Sequence, residues 1–355
     1  SPQSFFYGIT PLPIEPFREG ISAPYPTIKR EVKILEAFPP ADVEVKGAIE
    51  DSGTLLLEGE TLVVFSGQKI VGYNVSDPTD PKEKWDIEIA QNSSLVQARL
   101  HDGKVYVVTQ SRINRTHPCP FIPVTVRGAE VSIPCRDIYY PSRPVSTDST
   151  FVAMVVNPDN GNVEEKASFV GSTGLSVVYM SPNAIYITYS YFQSQVDLVV
   201  KFFVEDASDL FPKDFIARLQ KLQTLDISEQ AKLVELEVIS RDYEDVFTGD
   251  DRLKLENELV NRLRAYTEKN IREFQKTGIV KIRTNGFGVE AIGEVPGSPL
   301  NQFALDEYET NLRIATTSNE GFFFGSGNKT VNDVYILDNK LIKQGSVKDL
   351  GLEGE

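Results

Sequence analysis

The sequence predicts a mainly β protein, a β-propeller of four-stranded antiparallel blades with an inserted α-helical subdomain. Three observations predict it. A hairpin pattern occurs four times along the chain, each copy is followed by a second hairpin, and the two-residue alternation of apolar side chains breaks once, over residues 207–277, into a helical period.

The clearest copy is VPGSPLNQFALDEYETNLRIATTS, Val295 to Ser318. A proline-glycine turn leads into an apolar strand, a short polar turn and a second, alternating strand. Leu312, Ile314 and Thr316 fall on one face of that second strand, and Arg313, Ala315 and Thr317 on the other. GTLLLEGETLVVFSG from Gly53, LVQARLHDGKVYVVTQS from Leu95 and GLSVVYMSPNAIYITYS from Gly174 have the same shape. Second hairpins start at Lys69, Phe151, Ile279 and Asn332, which makes at least four units of four strands. Without insertions a unit has the roughly forty to fifty residues of a propeller blade. Neither the WD dipeptide nor the GH signature stands where a WD40 array needs it. Paired β-sandwiches would match the strand density but would not repeat the order of hairpins.

Residues 1–40 hold eight prolines and read as an extended arm with little regular structure. The propeller covers 41–350, with blades at about 42–89, 95–170, 174–295 and 296–350. In the first blade SDPTDPKEK suits an exposed turn, and Trp85 on the last strand reads as packing between blades. The second blade carries a long loop, about Arg112 to Thr147, that contains His117, Cys119, Arg127, Cys135, Arg136 and Arg143 in an otherwise acidic chain. Its segment PFIPVTVRGAEVSIP looks like a small hairpin closing on itself. The third blade is interrupted at 207–277 by three helices, DLFPKDFIARLQKL, DISEQAKLVELEVISRDYEDVF and GDDRLKLENELVNRLRAYTEKNIREFQ. Asp226 or Ser228 caps the second, Gly249 stops it and Asp250 starts the third. Leu255, Leu259, Leu263, Tyr266 and Phe274 form an apolar stripe on the third helix, whose partner is expected to be the other helices and the side of the blade. If YITYSYF and IVKIRTNG are the second and third strands of one blade, they must be antiparallel neighbours. The fourth blade holds a glycine-rich insertion, NEGFFFGSGNKT.

The run PGSPLNQFALDEYETNLRIATT, the two-cysteine loop followed by IYYP and the helical insertion after YITYSYF together resemble a secreted β-propeller family of bacteria and archaea, distantly related to WD40 proteins. The resemblance runs from about Ile34 through nearly all of the chain. It implies export, and further blades beyond GLEGE. The family has no assigned role, so it implies no activity.

The net charge of −15 repels phosphate backbones and anionic headgroups, which excludes nucleic acid as a partner class. With no apolar run of eighteen residues, this chain is not expected to insert in a membrane. Its start at SPQSFF suggests a leader or anchor outside the segment; the secreted or cell-surface location is what the resemblance implies, and the cysteines agree with it. Cys119 and Cys135, the only cysteines, are expected to form a disulfide worth roughly 3 kcal/mol in the chain-entropy model. The alternative is a pair of free thiols in a cytosolic protein. Asn74, Asn92, Asn114 and Asn328 each open an Asn-X-Ser/Thr sequon in a turn or loop, as glycan acceptors must.

No nucleophile-histidine arrangement, phosphate loop or zinc motif is present. Asp306 and Glu307 fall between the first two strands of the fourth blade and, with Arg313, are candidates for the mouth of a central channel. Two carboxylates would suit glycoside hydrolysis or calcium, but neighbours on a strand point to opposite faces, and Asp306 is expected to accept turn hydrogen bonds. NPDNGN at Asn157 opens like a calcium loop but lacks its twelfth-position glutamate and reads as a hairpin turn. No cofactor is expected, with calcium the only one the residues would suit. The functional expectation is an extracellular or cell-surface binding or scaffolding module for a protein or glycan. Oligomers would form through an open blade edge or the helices. The alternative is a propeller hydrolase or lyase acting on carbohydrate through channel carboxylates.

Overall fold

The computed structural model describes residues 30–140, 147–243, 248–319 and 329–351. Most of the expected arm, Arg143, Asn328 and most of NEGFFFGSGNKT lie outside the described residues.

A strand pair comes first, β1 (Val32–Glu36) with β2 (Glu44–Ile49). β1 falls inside the stretch read as an arm, where the surrounding prolines mask a short alternating strand. The first sheet is the meander β3 (Thr54–Glu58), β4 (Thr61–Ser66), β5 (Lys69–Asn74) and β6 (Lys82–Ile89). Leu62 and Val64 of β4 pack with Val32 and Ile49, so the β1–β2 pair covers one face of this sheet.

The second sheet starts with β7 (Ser93–His101) and β8 (Lys104–Arg112). The long loop then turns back: β9 (Phe121–Val126) and β10 (Ala129–Ile133) form a hairpin whose β9 pairs with β6, Ile87 opposite Val126 and Ile89 opposite Val124. The first sheet therefore has six strands, and the hairpin belongs to it and not to the second sheet from which the loop departs. The physical reason is twofold. β9 takes up the open edge of β6, and Val124 and Ile133 enter the core between the first two sheets, where both are buried. β11 (Ile138–Tyr139), β12 (Ser149–Val156) and β13 (Val163–Gly171) complete the second sheet, with β11 added parallel to β13.

The third sheet begins with β14 (Ser176–Met180) and β15 (Ala184–Phe192). Four helices follow, α1 (Gln195–Glu205), α2 (Lys213–Thr224), α3 (Glu229–Asp242) and α4 (Gly249–Phe274), before β16 (Gln275–Arg283) and β17 (Gly288–Pro296). β15 and β16 pair without interruption from Ala184 opposite Arg283 to Phe192 opposite Gln275, so the helices lie between two neighbouring strands. Helix starts twelve residues before 207: QVDLVVKFFVE is rich in valine and phenylalanine and follows YITYSYF after two residues, so in the sequence it reads as part of the strand region. Val196 and Val200 of α1 pack against α2 and α3, whereas Leu198 and Phe202 meet α4. The stripe on α4 thus finds its partner in α1, through Leu259, Leu263, Tyr266 and Phe274. Ser228 caps α3 by accepting from the Ala231 N–H at 3.2 Å. Gly249 is the first residue of α4 and not the stop of α3, which ends at Asp242.

The fourth sheet is β18 (Leu305–Tyr308), β19 (Asn311–Asn319), β20 (Thr330–Leu337) and β21 (Lys343–Leu350). Among the described residues no ladder joins one sheet to the next; interleaved side chains do. Val63, Trp85, Val107 and Met154 lie in the core of the first and second sheets, Phe151, Phe169, Ile187 and Val280 in that of the second and third, and Tyr186, Ile279, Ile314 and Tyr335 in that of the third and fourth. Every residue of β12 is buried, as expected for a strand packed on both faces. β19 alternates instead: Leu312, Ile314, Thr316 and Ser318 are buried, while Arg313 and Ala315 are exposed.

Candidate functional site

Asp306 and Glu307 both sit on β18, not in a turn between strands. Asp306 lies directly opposite Arg313. Arg313 Nε donates to Asp306 Oδ1 at 2.6 Å, a second contact joins Nη2 to Oδ2, and the guanidinium stacks 5.0 Å from the Tyr308 ring centroid. These guanidinium hydrogen bonds hold the Asp306 carboxyl below its ordinary range. The expectation that Asp306 accepts turn hydrogen bonds is thereby corrected: its partner is a cross-strand arginine, because the strand continues through Asp306 and Glu307 to Tyr308.

Glu307 points the other way, toward the third sheet. It accepts from Ser181 Oγ at 2.5 Å, Asn183 Nδ2 at 2.9 Å and Tyr186 OH at 3.0 Å, while its own N–H donates to Tyr179 OH at 3.0 Å. Burial raises its carboxyl, but these three donors outweigh it and the net displacement is downward. Asp306 and Glu307 thus stand on opposite faces, each committed to a partner. Among the described residues no group of three or more His, Cys, Asp or Glu is placed to hold a metal ion. NPDNGN forms the β12–β13 turn, where Asn157 Oδ1 accepts from the Asp159 N–H at 2.9 Å.

Cys119 and Cys135 form a disulfide across the open end of the β9–β10 hairpin, their Cα atoms 5.2 Å apart. In the same loop His117 and Arg136 are exposed, and Arg127 caps the β12–β13 turn by donating to the Asn160 carbonyl. Of the sequon asparagines, Asn92 and Asn114 are exposed and Asn74 is half-buried at the end of β5. Asn114 Oδ1 accepts from the Thr116 N–H at 3.0 Å. No described helix is long and apolar enough to cross a membrane.

A surface concavity lies elsewhere. An open groove of about 580 Å³ is lined by Val96, Gln97 and Arg99 of β7, by Ser176 to Val178 of β14 and by Leu300 to Phe303 ahead of β18. β7 and β14 are the first strands of their sheets and lie at the sheet edges. Asn301 caps the 3₁₀ turn Gln302–Ala304 by accepting from the Phe303 N–H at 2.9 Å, and this turn presents Leu300 and Phe303, 87% and 86% exposed, on the rim. Sequence reasoning missed the groove because its three walls are distant in the chain. The available signal was Arg99, an arginine inside a strand of an acidic repeat protein.

The sequence pattern of the beta propeller domain family matches residues 25–355. The chain belongs to the beta propeller domain family. Relatives of this propeller chain include an uncharacterized protein of Archaeoglobus fulgidus, 40% identical over 321 residues, 90% of this chain and 49% of that protein. Another, of Methanocaldococcus jannaschii, is 31% identical over 327 residues, 91% of this chain and 50% of that protein. The propeller chain thus spans about half the length of the curated relatives it matches. A solved variant of Synechocystis apocarotenoid oxygenase aligns with 81% of the chain and 46% of its own at 7% identity, with a TM-score of 0.32. A likeness that low carries no argument about this propeller.

Proposed function

We propose that the four meanders are successive blades of a propeller and that the chain is an extracellular or cell-surface binding module, which meets a protein or glycan partner in the groove between β7, β14 and the Leu300–Phe303 segment. The observation that carries this reading is the rim. Apolar side chains are buried between all four sheets, and Leu300 and Phe303 stand almost wholly exposed beside this groove. The Cys119–Cys135 bridge supports an oxidising location. Carbohydrate cleavage is less favoured, since it needs two carboxylates facing one bond, and Asp306 and Glu307 point apart. The test is a glycan and peptide array probed with the wild-type chain and with a Leu300→Ser/Phe303→Ser variant. Array signals lost in the variant are expected; signals that persist unchanged would move the contact surface elsewhere.

A further inference from the structure

Arg99 is held in the groove entirely by neutral groups. Its Nη1 donates to the Ala98 carbonyl at 2.9 Å, and its Nη2 donates to Gln302 Oε1 and, with the Gln97 amide oxygen turned toward it, to Gln97 at 2.7 Å. No described carboxylate comes within ion-pair distance of it. The β7 backbone explains the placement. Leu95 lies opposite Thr109 and Gln97 opposite Val108, so Val96 is an extra residue in a bulge. Beyond it, Ala98 and Leu100 pack toward the first sheet, and Val96 joins the core shared with the third. Gln97 and Arg99 are left lining the groove.

Amide and carbonyl oxygens orient a guanidinium without neutralising it. Burial also weakens the hold of Arg99 on its proton, so the charge is partly stripped of water and has no counter-ion in compensation. The turned Gln97 oxygen accepts from both Nη1 and Nη2, and a carboxylate that takes its place on that planar fork accepts two parallel hydrogen bonds and supplies the missing counter-charge. The apolar rim lies across the groove from it. Because the chain's net charge of −15 repels anions at a distance, selection has to come from contact at the fork.

We propose that the groove receives a small organic carboxylate with an apolar body, the acid group on the Arg99 guanidinium and the body against Leu300 and Phe303. The proposal rests on the reading of the groove as the binding surface. It is tested with 3-phenylpropionate and its neutral counterpart, 3-phenylpropanamide, titrated by NMR into the full chain, into Arg99→Gln and Arg99→Lys, and into Leu300→Ser/Phe303→Ser. The acid is expected to shift resonances of β7, β14 and the Gln302–Ala304 turn saturably, and to bind at least about tenfold more tightly than the amide. Arg99→Gln should abolish that preference. Arg99→Lys, which keeps the charge without the fork and controls for loss of folding, should retain part of it. Equal binding of acid and amide, or an unchanged preference in Arg99→Gln, would overturn the role of Arg99 while leaving the groove as a site. Failure of both compounds to shift groove resonances would overturn the carboxylate proposal, while the array with Leu300→Ser/Phe303→Ser decides the groove as a partner surface.

Discussion

Trp85 stands between two glycines. Its ring fills the space where side chains of Gly72 and Gly161 would be: a Cβ on Gly72 would lie 2.2 Å from Cε2, and one on Gly161 2.6 Å from Cδ2. Its Nε1 donates to the Pro158 carbonyl at 2.7 Å, so the indole ties the first sheet to the β12–β13 turn of the second. Gly72→Ala, which puts a methyl into that ring, is expected to lower stability by about 1–3 kcal/mol in urea unfolding; wild-type stability would show that the ring can move aside. The sequence made the role of Trp85 legible, because a lone tryptophan on a last strand has a neighbouring unit to pack on. It did not make Arg99 legible, whose meaning depends on Gln302, two sheets away in the chain order.

At the scale of elements, α4 is fastened to the fourth sheet by an ion-pair cluster around Arg272, with a second pair, Glu268 to Lys329 at 3.5 Å, beside β20. Arg272 Nε and Nη2 donate to the two oxygens of Asp333 at 2.6 and 2.9 Å, and Nη2 also reaches Asp349 Oδ1 at 2.6 Å. Asp333, 2% exposed, accepts further from Tyr335 OH at 2.7 Å and the Asp349 N–H at 3.1 Å. Burial alone would raise its carboxyl, but the arginine fork, the phenol and the N–H together bring it down to about 2. An unfolded aspartate titrates at about 3.9, so the cluster contributes about 2–3 kcal/mol that is fully present above that pH and is lost as pH falls through about 2. Urea unfolding between pH 7 and pH 2 should show this acid loss in the wild type. In Arg272→Ala it should be shallower, with stability already about 3 kcal/mol lower at pH 7 because a buried carboxylate loses its charge partner. Identical acid limbs in the two proteins would remove Arg272 as the cause. Of the helices, α4 was readable from its stripe, and α2 and α3 from the change of period after residue 207. α1 was not, since a helix covered on two sides has the composition of a buried strand.

At the scale of the molecule, the succession of strands was readable because each hairpin is local. The strand count of each sheet was not, because β9 finds its partner in β6 across an intervening hairpin. The disulfide holds that distant pairing in shape. Replacing Cys119 and Cys135 by serine is expected to cost up to about 3 kcal/mol in chemical unfolding. The far-ultraviolet circular dichroism should be kept, since Val124 and Ile133 remain buried in the core. Loss of the β signal would mean that the bridge, and not the packing, determines the hairpin.

The return of the loop also sets an order of assembly. When β6 leaves a ribosome, its edge partner is still more than thirty residues from being made, and the hairpin is complete only at Ile133. At about 5–20 residues per second the first sheet therefore waits a few seconds with one edge bare, while β7 and β8 emerge. A fragment that stops anywhere between Ile89 and Phe121 freezes that state and offers β6 to a neighbouring chain. A self-sufficient piece from the amino-terminal side must accordingly reach past Cys135 and on through β12, whose Val152, Met154 and Val156 complete the core around Val124 and Ile133, so the first two sheets fold as one.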